Sequence, residues 1–231
     1  MSFTFDLEPE FLRLYDTCRD ETMTSIERMY ALYQATCHDN ERDVPGDFVE
    51  CGVWRGGSVM LVASTLLARG CADRAIWLYD TFNGMTPPSD DDIQEMSGRA
   101  AAEILAEHPR TDGDPFWGVA SRAVVEANIG RTRYPADRFR IVEGHVLDTI
   151  PAAAPSTIAL LRLDTDWYAT TRHELEHLYP RLSPEGVLIV DDYGYWRGAK
   201  KATDEYFAAA GDRPLLSRID YTGRIAVKPR R

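Results

Sequence analysis

The stretch GDFVECGVWRGGSVMLVASTLLARGCADRAIWLYDTF, residues 46–82, decides the fold. Residues 46–53 form a short apolar run of strand length, and residues 75–82 form a second. Between them Gly56, Gly57 and Ser58 open an apolar, helix-length segment that runs through Leu67. Strand, glycine turn, helix and strand in that order predict two parallel strands joined by a right-handed crossover. The alternation resumes downstream. FRIVEGHV (139–146) and TIALLRLD (157–164) read as strands, and a helix carrying Leu175, Leu178 and Leu182 follows. GVLIVDD (186–192) is the next strand, then a helix from about Gly198 to Ala210 and two short strands, LLSRI and GRIAVKP. The expected fold is α/β, a doubly wound sheet whose ligands gather beyond the strands' carboxyl ends.

Ahead of the sheet, Ile26, Met29, Tyr30 and Tyr33 repeat at the spacing of an amphipathic helix over residues 22–37, with Thr24 and Ser25 as candidate caps. Residues 1–44 are therefore read as an N-terminal helical segment. Residues 83–135 are rich in Asp, Pro and Gly, with helical stretches near 93–107 and 118–129, and read as a lid or insertion. At 231 residues and 44% hydrophobic content, one domain spanning 1–231 is expected. The apolar runs fall far short of the ~20 residues of a membrane span, and the first residues show no export signal, so a soluble cytoplasmic protein is expected. A net charge of −11 argues against nucleic acid, and the closing KPRR is read as a solvated tail. Cys18, Cys37, Cys51 and Cys71 have neither CxxC spacing nor histidine pairing and read as reduced thiols.

Three groups of residues carry chemistry. In the turn after the first strand, Gly52, Gly56 and Gly57 let backbone approach a ligand or simply pack tightly, and Ser58 enters the helix. Glu50 is acidic where an apolar residue is ordinary and is placed to hold an ammonium group. Asp80 ends the next strand, where an acid grips ribose hydroxyls or caps a turn, and Phe82 is placed to cover an adenine face. In the third group, LRLDTD (161–166) and LIVDDYG (188–194) bring Asp164, Asp166, Asp191 and Asp192 to strand ends. Carboxylates converging there repel unless a cation joins them, and a hard divalent ion with oxygen ligands is the simplest answer. Helix capping is the plainer reading of any one of them.

Through TMTSIERMYAL, VPGDFVECGVWRGGS, YDTFNGM, RLDTDWYATTRHELEHLYPRLSPEGVLIVDDYGYW and the closing ID-x-x-G-x-x-x-x-K, the chain resembles the macrocin O-methyltransferase (TylF) family from about Thr22 to Lys228. The resemblance implies a class I methyltransferase (Rossmann-like) fold: seven strands, the last antiparallel, an N-terminal helix and a helical lid. It also implies S-adenosylmethionine and Mg²⁺. Glu50, Gly52 and Ser58 would hold the methionine end of the cofactor and Asp80 the ribose. Gly144 would lie near the adenine, and Thr22 and Met23 would close over it. Trp54, Gly57, Thr81, Phe82 and Asp164 complete the expected cofactor wall, and Asp164, Asp191 and Asp192 the metal site.

Related magnesium-dependent catechol methyltransferases carry a lysine base a few residues after the first acid. Here Thr165, Asp166, Trp167 and Tyr168 follow Asp164, so the base falls to Asp164 or Asp166, and Asp166 alternatively only supports its neighbour. His145 and His173 read as structural. Trp54, Trp167, Tyr193, Tyr195 and Trp196 flank the motifs, where aromatic faces stack on sugars. The expected acceptor is a small molecule with vicinal hydroxyls, a sugar of a natural product, and a homo-oligomer is expected because a neighbouring subunit often completes the acceptor pocket in this family. Two rival functions remain: a glycosyltransferase using Asp164 and Asp166 as a metal-binding D-x-D, and a non-catalytic cofactor-binding protein.

Overall fold

The computed structural model describes residues 6–111, 114, 116–211 and 213–230. Seven strands form one sheet: β1 (Asp47–Cys51), β2 (Ile76–Asp80), β3 (Phe139–Glu143), β4 (Ile158–Leu163), β5 (Leu182–Val190), β6 (Ser217–Arg218) and β7 (Arg224–Val227). Their order is β3-β2-β1-β4-β5-β7-β6. β1 to β5 pair in parallel, whereas β7 runs antiparallel to β5 and β6. The order reverses direction between β1 and β4, which opens a crevice at the carboxyl ends.

Side chains alternate across each strand and feed two apolar layers. Phe48, Leu78, Leu160, Val187 and Ile189 point to one layer; Val49, Tyr79, Leu161, Leu188 and Val190 point to the other. The first layer is closed by α1 (Pro9–Asp16), α2 (Ile26–Glu41), α3 (Gly57–Ala68) and α5 (Arg122–Gly130). The second is closed by α6 (Val146–Thr149), α7 (Tyr168–Leu178) and α8 (Arg197–Ala210). With both faces covered, all six residues of β4 are buried, which is why that strand reads as a continuous apolar run. Arg162 is its one charged member.

Several expectations shift in detail. The helix expected near 93–107 is only α4 (Ala101–Ala106), because the chain before it makes bridges, Ile93 to Ala100 and Gln94 to Trp196. Leu182 opens β5 instead of ending α7. α6 was not foreseen, and α1 adds a second helix to the N-terminal helical segment. The closing basic cluster is not a free tail: Lys228 Nζ donates to the carbonyls of Tyr179 (2.9 Å) and Leu182 (2.6 Å), and Arg230 pairs with Glu185. Pairing of β7 on β5 brings Lys228 to those carbonyls; Arg231 lies outside the described residues.

Candidate active site

Strand register builds the site. Cys51 is level with Leu163, and Leu163 with Val190, so the next residues, Gly52, Asp164 and Asp191, stand abreast. Backbone bonds continue the ladder one step past the strands: Asp164 N–H donates to Cys51 O (2.8 Å) and Asp191 N–H to Leu163 O (2.9 Å). Gly52 must be glycine, since a Cβ there would stand 2.0 Å from the Asp164 carbonyl oxygen and its φ is 82°.

A cavity of about 420 Å³ opens over these ends. Thr22, Met23, Gly52, Trp54, Ser58, Asp80, Thr81 and Gly144 line it, and so do Asp164, Asp166, Asp191 and Asp192. Three residues expected in its wall are not there. Glu50 is 5% exposed, and its Oε1 is committed to Arg162 and to the Ser58 hydroxyl (2.5 Å). It faces Arg162 directly across β1 and β4, so one of its oxygens anchors that buried arginine. Gly57 backs the Cys18–Glu21 turn, where a Cβ would meet Glu21 O at 2.5 Å. Phe82 is buried as a member of the first apolar layer.

At the β1–β2 end, Asp80 is clamped by three amides. Oδ2 accepts from Val53 (2.8 Å) and Trp54 (3.2 Å), and Oδ1 accepts from Phe82 (2.8 Å). Burial pushes its pKa up, against those amides, which lower it. The clamp fixes the carboxylate's direction into the cavity. Trp54 Nε1 is buried with no hydrogen-bond partner among the described residues.

At the β4–β5 end, oxygens of Asp164, Asp191 and Asp192 lie within 4.8 Å of one another. Two arginines balance them. Arg162, 2% exposed, pairs with Glu50, with Asp164 (2.8 Å) and with Asp191 Oδ1 (2.6 Å); Arg28 of α2 pairs with Asp191 Oδ2. Asp192 is left uncompensated: its Oδ2 is buried without a hydrogen-bond partner among the described residues, and desolvation, then Asp166 and Asp164, holds its pKa well up. An orphaned carboxylate oxygen beside two more carboxylates, all hard donors, fits a divalent cation.

Asp166 sits at φ 67°, a turn conformation Asp tolerates, and its Oδ1 accepts from Trp196 Nε1 (2.8 Å). Burial pushes its pKa up to about 7, opposed by that indole. Beneath the D-x-D, Glu174 is fully buried and accepts from the Thr165 hydroxyl (2.9 Å). His145 accepts from the Leu147 amide at the start of α6 and His173 bonds the Ile150 carbonyl, so both serve the backbone. Trp167 and Trp196 are buried and stack edge to face with ring centroids 5.0 Å apart, and both line the cavity together with Tyr195.

The arrangement is one crevice that runs from the Asp80 clamp into an acidic pocket, on a sheet ordered 3-2-1-4-5-7-6. Residues 17–227 match the Macrocin-O-methyltransferase (TylF) family. The chain belongs to that family. It is 35% identical to demethyldecarbamoylnovobiocin O-methyltransferase of Streptomyces niveus over 202 residues, 87% of this chain and 73% of that protein. It is 36% identical to 8-demethyl-8-(2,3-dimethoxy-alpha-L-rhamnosyl)-tetracenomycin-C 4'-O-methyltransferase of Streptomyces olivaceus, over 87% of this chain and 73% of that one. Among solved structures, the O-methyltransferase NovP superposes with a TM-score of 0.79 at 33% identity, covering 91% of this chain and 83% of NovP. Membership makes this TylF-family chain an O-methyltransferase with a class I fold, and ends the glycosyltransferase and non-catalytic readings.

The residues missed in sequence are buried charged partners of the acid cluster. Arg162 had a signal, a lone cation inside a buried strand, where an unpaired charge is prohibitively costly. Arg28 and Glu174 had none.

Proposed function

We propose that this TylF-family enzyme transfers the methyl group of S-adenosylmethionine to a hydroxyl of a sugar already joined to an uncharged natural-product scaffold, with Mg²⁺ at Asp164, Asp191 and Asp192. The observation that carries the reading is that one cavity holds both Asp80, clamped beside the glycine turn, and the four-carboxylate pocket. Asp80 and Thr81 receive the nucleoside, and Ser58 and Trp54 border the methionine end. Magnesium held by those three carboxylates would supply Lewis acidity to the acceptor hydroxyl.

The carbon–sulfur bond to the methyl breaks as the carbon–oxygen bond forms, and the hydroxyl proton passes to a carboxylate. We assign that proton to Asp166. Trp196 fixes one of its oxygens, while Asp164 is tied to Arg162. Met85, Ile104, Leu105 and Phe116 line the cavity as an apolar wall for the scaffold, the middle two from α4. Among the described lining residues Arg28 alone carries a permanent positive charge, and it is engaged by Asp191 and Asp220. A nucleoside-diphosphate sugar would meet no free cation there, which favours a glycoside. The rhamnosyl substrate in the name of the S. olivaceus relative agrees with this choice.

The test is an acceptor screen with methyl-labelled cofactor, using glycosides, their aglycones and nucleotide sugars, with and without EDTA. Glycoside labelling that EDTA abolishes is expected. Asp166→Asn should lower kcat by roughly 10² to 10⁴ with S-adenosylhomocysteine affinity retained. Wild-type turnover in Asp164→Asn, or labelling of nucleotide sugars only, would overturn the reading.

A further inference from the structure

Arg28 stands in the first turn of α2, directly after the Thr22–Ser25 strap, three of whose residues line the cavity. Its side chain is 11% exposed and spans two acids distant in sequence: Nη1 pairs with Asp191, and Nε with Asp220 Oδ2 at 3.1 Å. Asp220 is itself fixed in the turn between β6 and β7. Its Oδ1 accepts from the amides of Thr222 (2.9 Å) and Gly223 (2.7 Å), and its Oδ2 also accepts from the Ser25 hydroxyl (2.8 Å). Gly223 leaves room for the arginine stem, since a Cβ there would stand 3.0 Å from Arg28 Cγ and Cδ. From the other side Arg162 Nη2 donates to Thr24 Oγ1 (3.0 Å) and to Asp191 Oδ1 (2.6 Å). Asp191 therefore spends one oxygen on each of two arginines, and both are tied to the strap.

We propose that Arg28, seated by Asp220 and Gly223, is a positioning residue that fastens the strap over the cofactor cleft to the acid cluster, so that occupancy of the two sites is linked through one guanidinium. This rests on the reading of the cleft as an S-adenosylmethionine site. It gives the closing ID-x-x-G motif, which no other part of the chemistry uses, the role of a seat. Two effects of opposite sign follow. Without the guanidinium the strap loses its tie, and cofactor binding weakens. The acid cluster meanwhile loses a positive charge in contact with Asp191, so a divalent cation binds at least as tightly. A general loosening of the fold would weaken both.

Calorimetric titration of the full chain with S-adenosylhomocysteine in EDTA, and Mn²⁺ titration followed by electron paramagnetic resonance, separate these outcomes. Arg28→Met should bind S-adenosylhomocysteine about tenfold more weakly or worse, the size of a lost charge-assisted tie, with Mn²⁺ affinity equal or higher. Asp220→Asn keeps the Arg28 charge and should weaken S-adenosylhomocysteine by a smaller factor. The double variant should bind no worse than Arg28→Met alone. Wild-type S-adenosylhomocysteine affinity in either single variant, or a parallel fall in both affinities in Arg28→Met, overturns the proposal. Failure of the wild-type chain to bind S-adenosylhomocysteine would instead overturn the cofactor reading beneath it.

Discussion

Asp39 in α2 shows what one buried carboxyl does to this chain. It is fully buried, and neither oxygen has a hydrogen-bond partner among the described residues. Burial raises its pKa to about 8; Arg74 lowers it, but that guanidinium is occupied by the carbonyls of Val44 (2.8 Å) and Gly46 (2.5 Å). The sign of the linkage follows directly. The folded pKa lies above the unfolded one, so the folded state holds the proton longer. Below about pH 3, Asp39 is protonated in both states and exerts no penalty. From about pH 4 to pH 8 the unfolded chain ionises freely while the folded one does not, and stability falls by on the order of 4 kcal/mol by neutral pH before levelling off near pH 8. Asp39→Asn should therefore flatten the pH dependence of the urea midpoint, stabilising the protein at pH 8 and leaving it unchanged near pH 3. An unchanged slope between those values would show that the carboxyl is solvated.

Among elements, the wall over the acidic pocket depends on a single inserted side chain. Asp92 is fully buried; its Oδ1 accepts from the Tyr168 amide (2.7 Å) at the start of α7, and its Oδ2 accepts from the Ser89 amide and hydroxyl (both 2.7 Å). It thus caps a helix that lacks a cap of its own, and its charge faces the positive end of the helix dipole. α8 closes on it from the other side, and a Cβ at Gly198 would lie 1.9 Å from Asp92 Oδ1. Asp92→Ala should cost about 1 to 2 kcal/mol as a lost cap and raise the acceptor KM while leaving S-adenosylhomocysteine affinity near wild type. Gly198→Ala should be worse alone, but milder in the Asp92→Ala background, where its methyl finds space; strict additivity in urea unfolding would refute the contact. This wall marks the limit of what the sequence reveals. Strands β1 to β5 were legible because a sheet covered on both faces demands apolar runs. The Asp residues were legible because they stop those runs. Residues 93–100 carry a helical pattern, yet their backbone is claimed by bridges and by Tyr195 and Arg197, partners set only in three dimensions. Arg28 meets Asp191 across 163 positions for the same reason, and no local spacing announces such a pair.

For the whole molecule, the topology concentrates negative charge at one edge of a chain that already carries a net −11. The level register of β1, β4 and β5 sets Asp164 and Asp191 side by side, and Asp166 and Asp192 face the same cavity. Two guanidinia compensate this cluster only in part, since Glu50 and Asp220 also draw on them. Removing Arg162 should be far more damaging than removing a surface cation. Arg162→Met leaves Glu50 and Asp191 short of a buried partner, a loss of about 3 to 5 kcal/mol by analogy with broken buried pairs. A divalent ion that binds only the folded chain acts in the opposite direction, adding about 2.7 kcal/mol at a hundredfold excess over its Kd. Millimolar Mg²⁺ or Mn²⁺ should therefore raise the Tm of the wild-type chain, EDTA should reverse the rise, and Asp192→Asn should abolish it, because that residue owns a buried oxygen with no hydrogen-bond partner among the described residues. NaCl at matched ionic strength is the control, since screening alone relieves part of the repulsion between the more exposed charges. An equal rise with NaCl, or an undiminished rise in Asp192→Asn, would mean that the carboxylates are balanced without a bound cation.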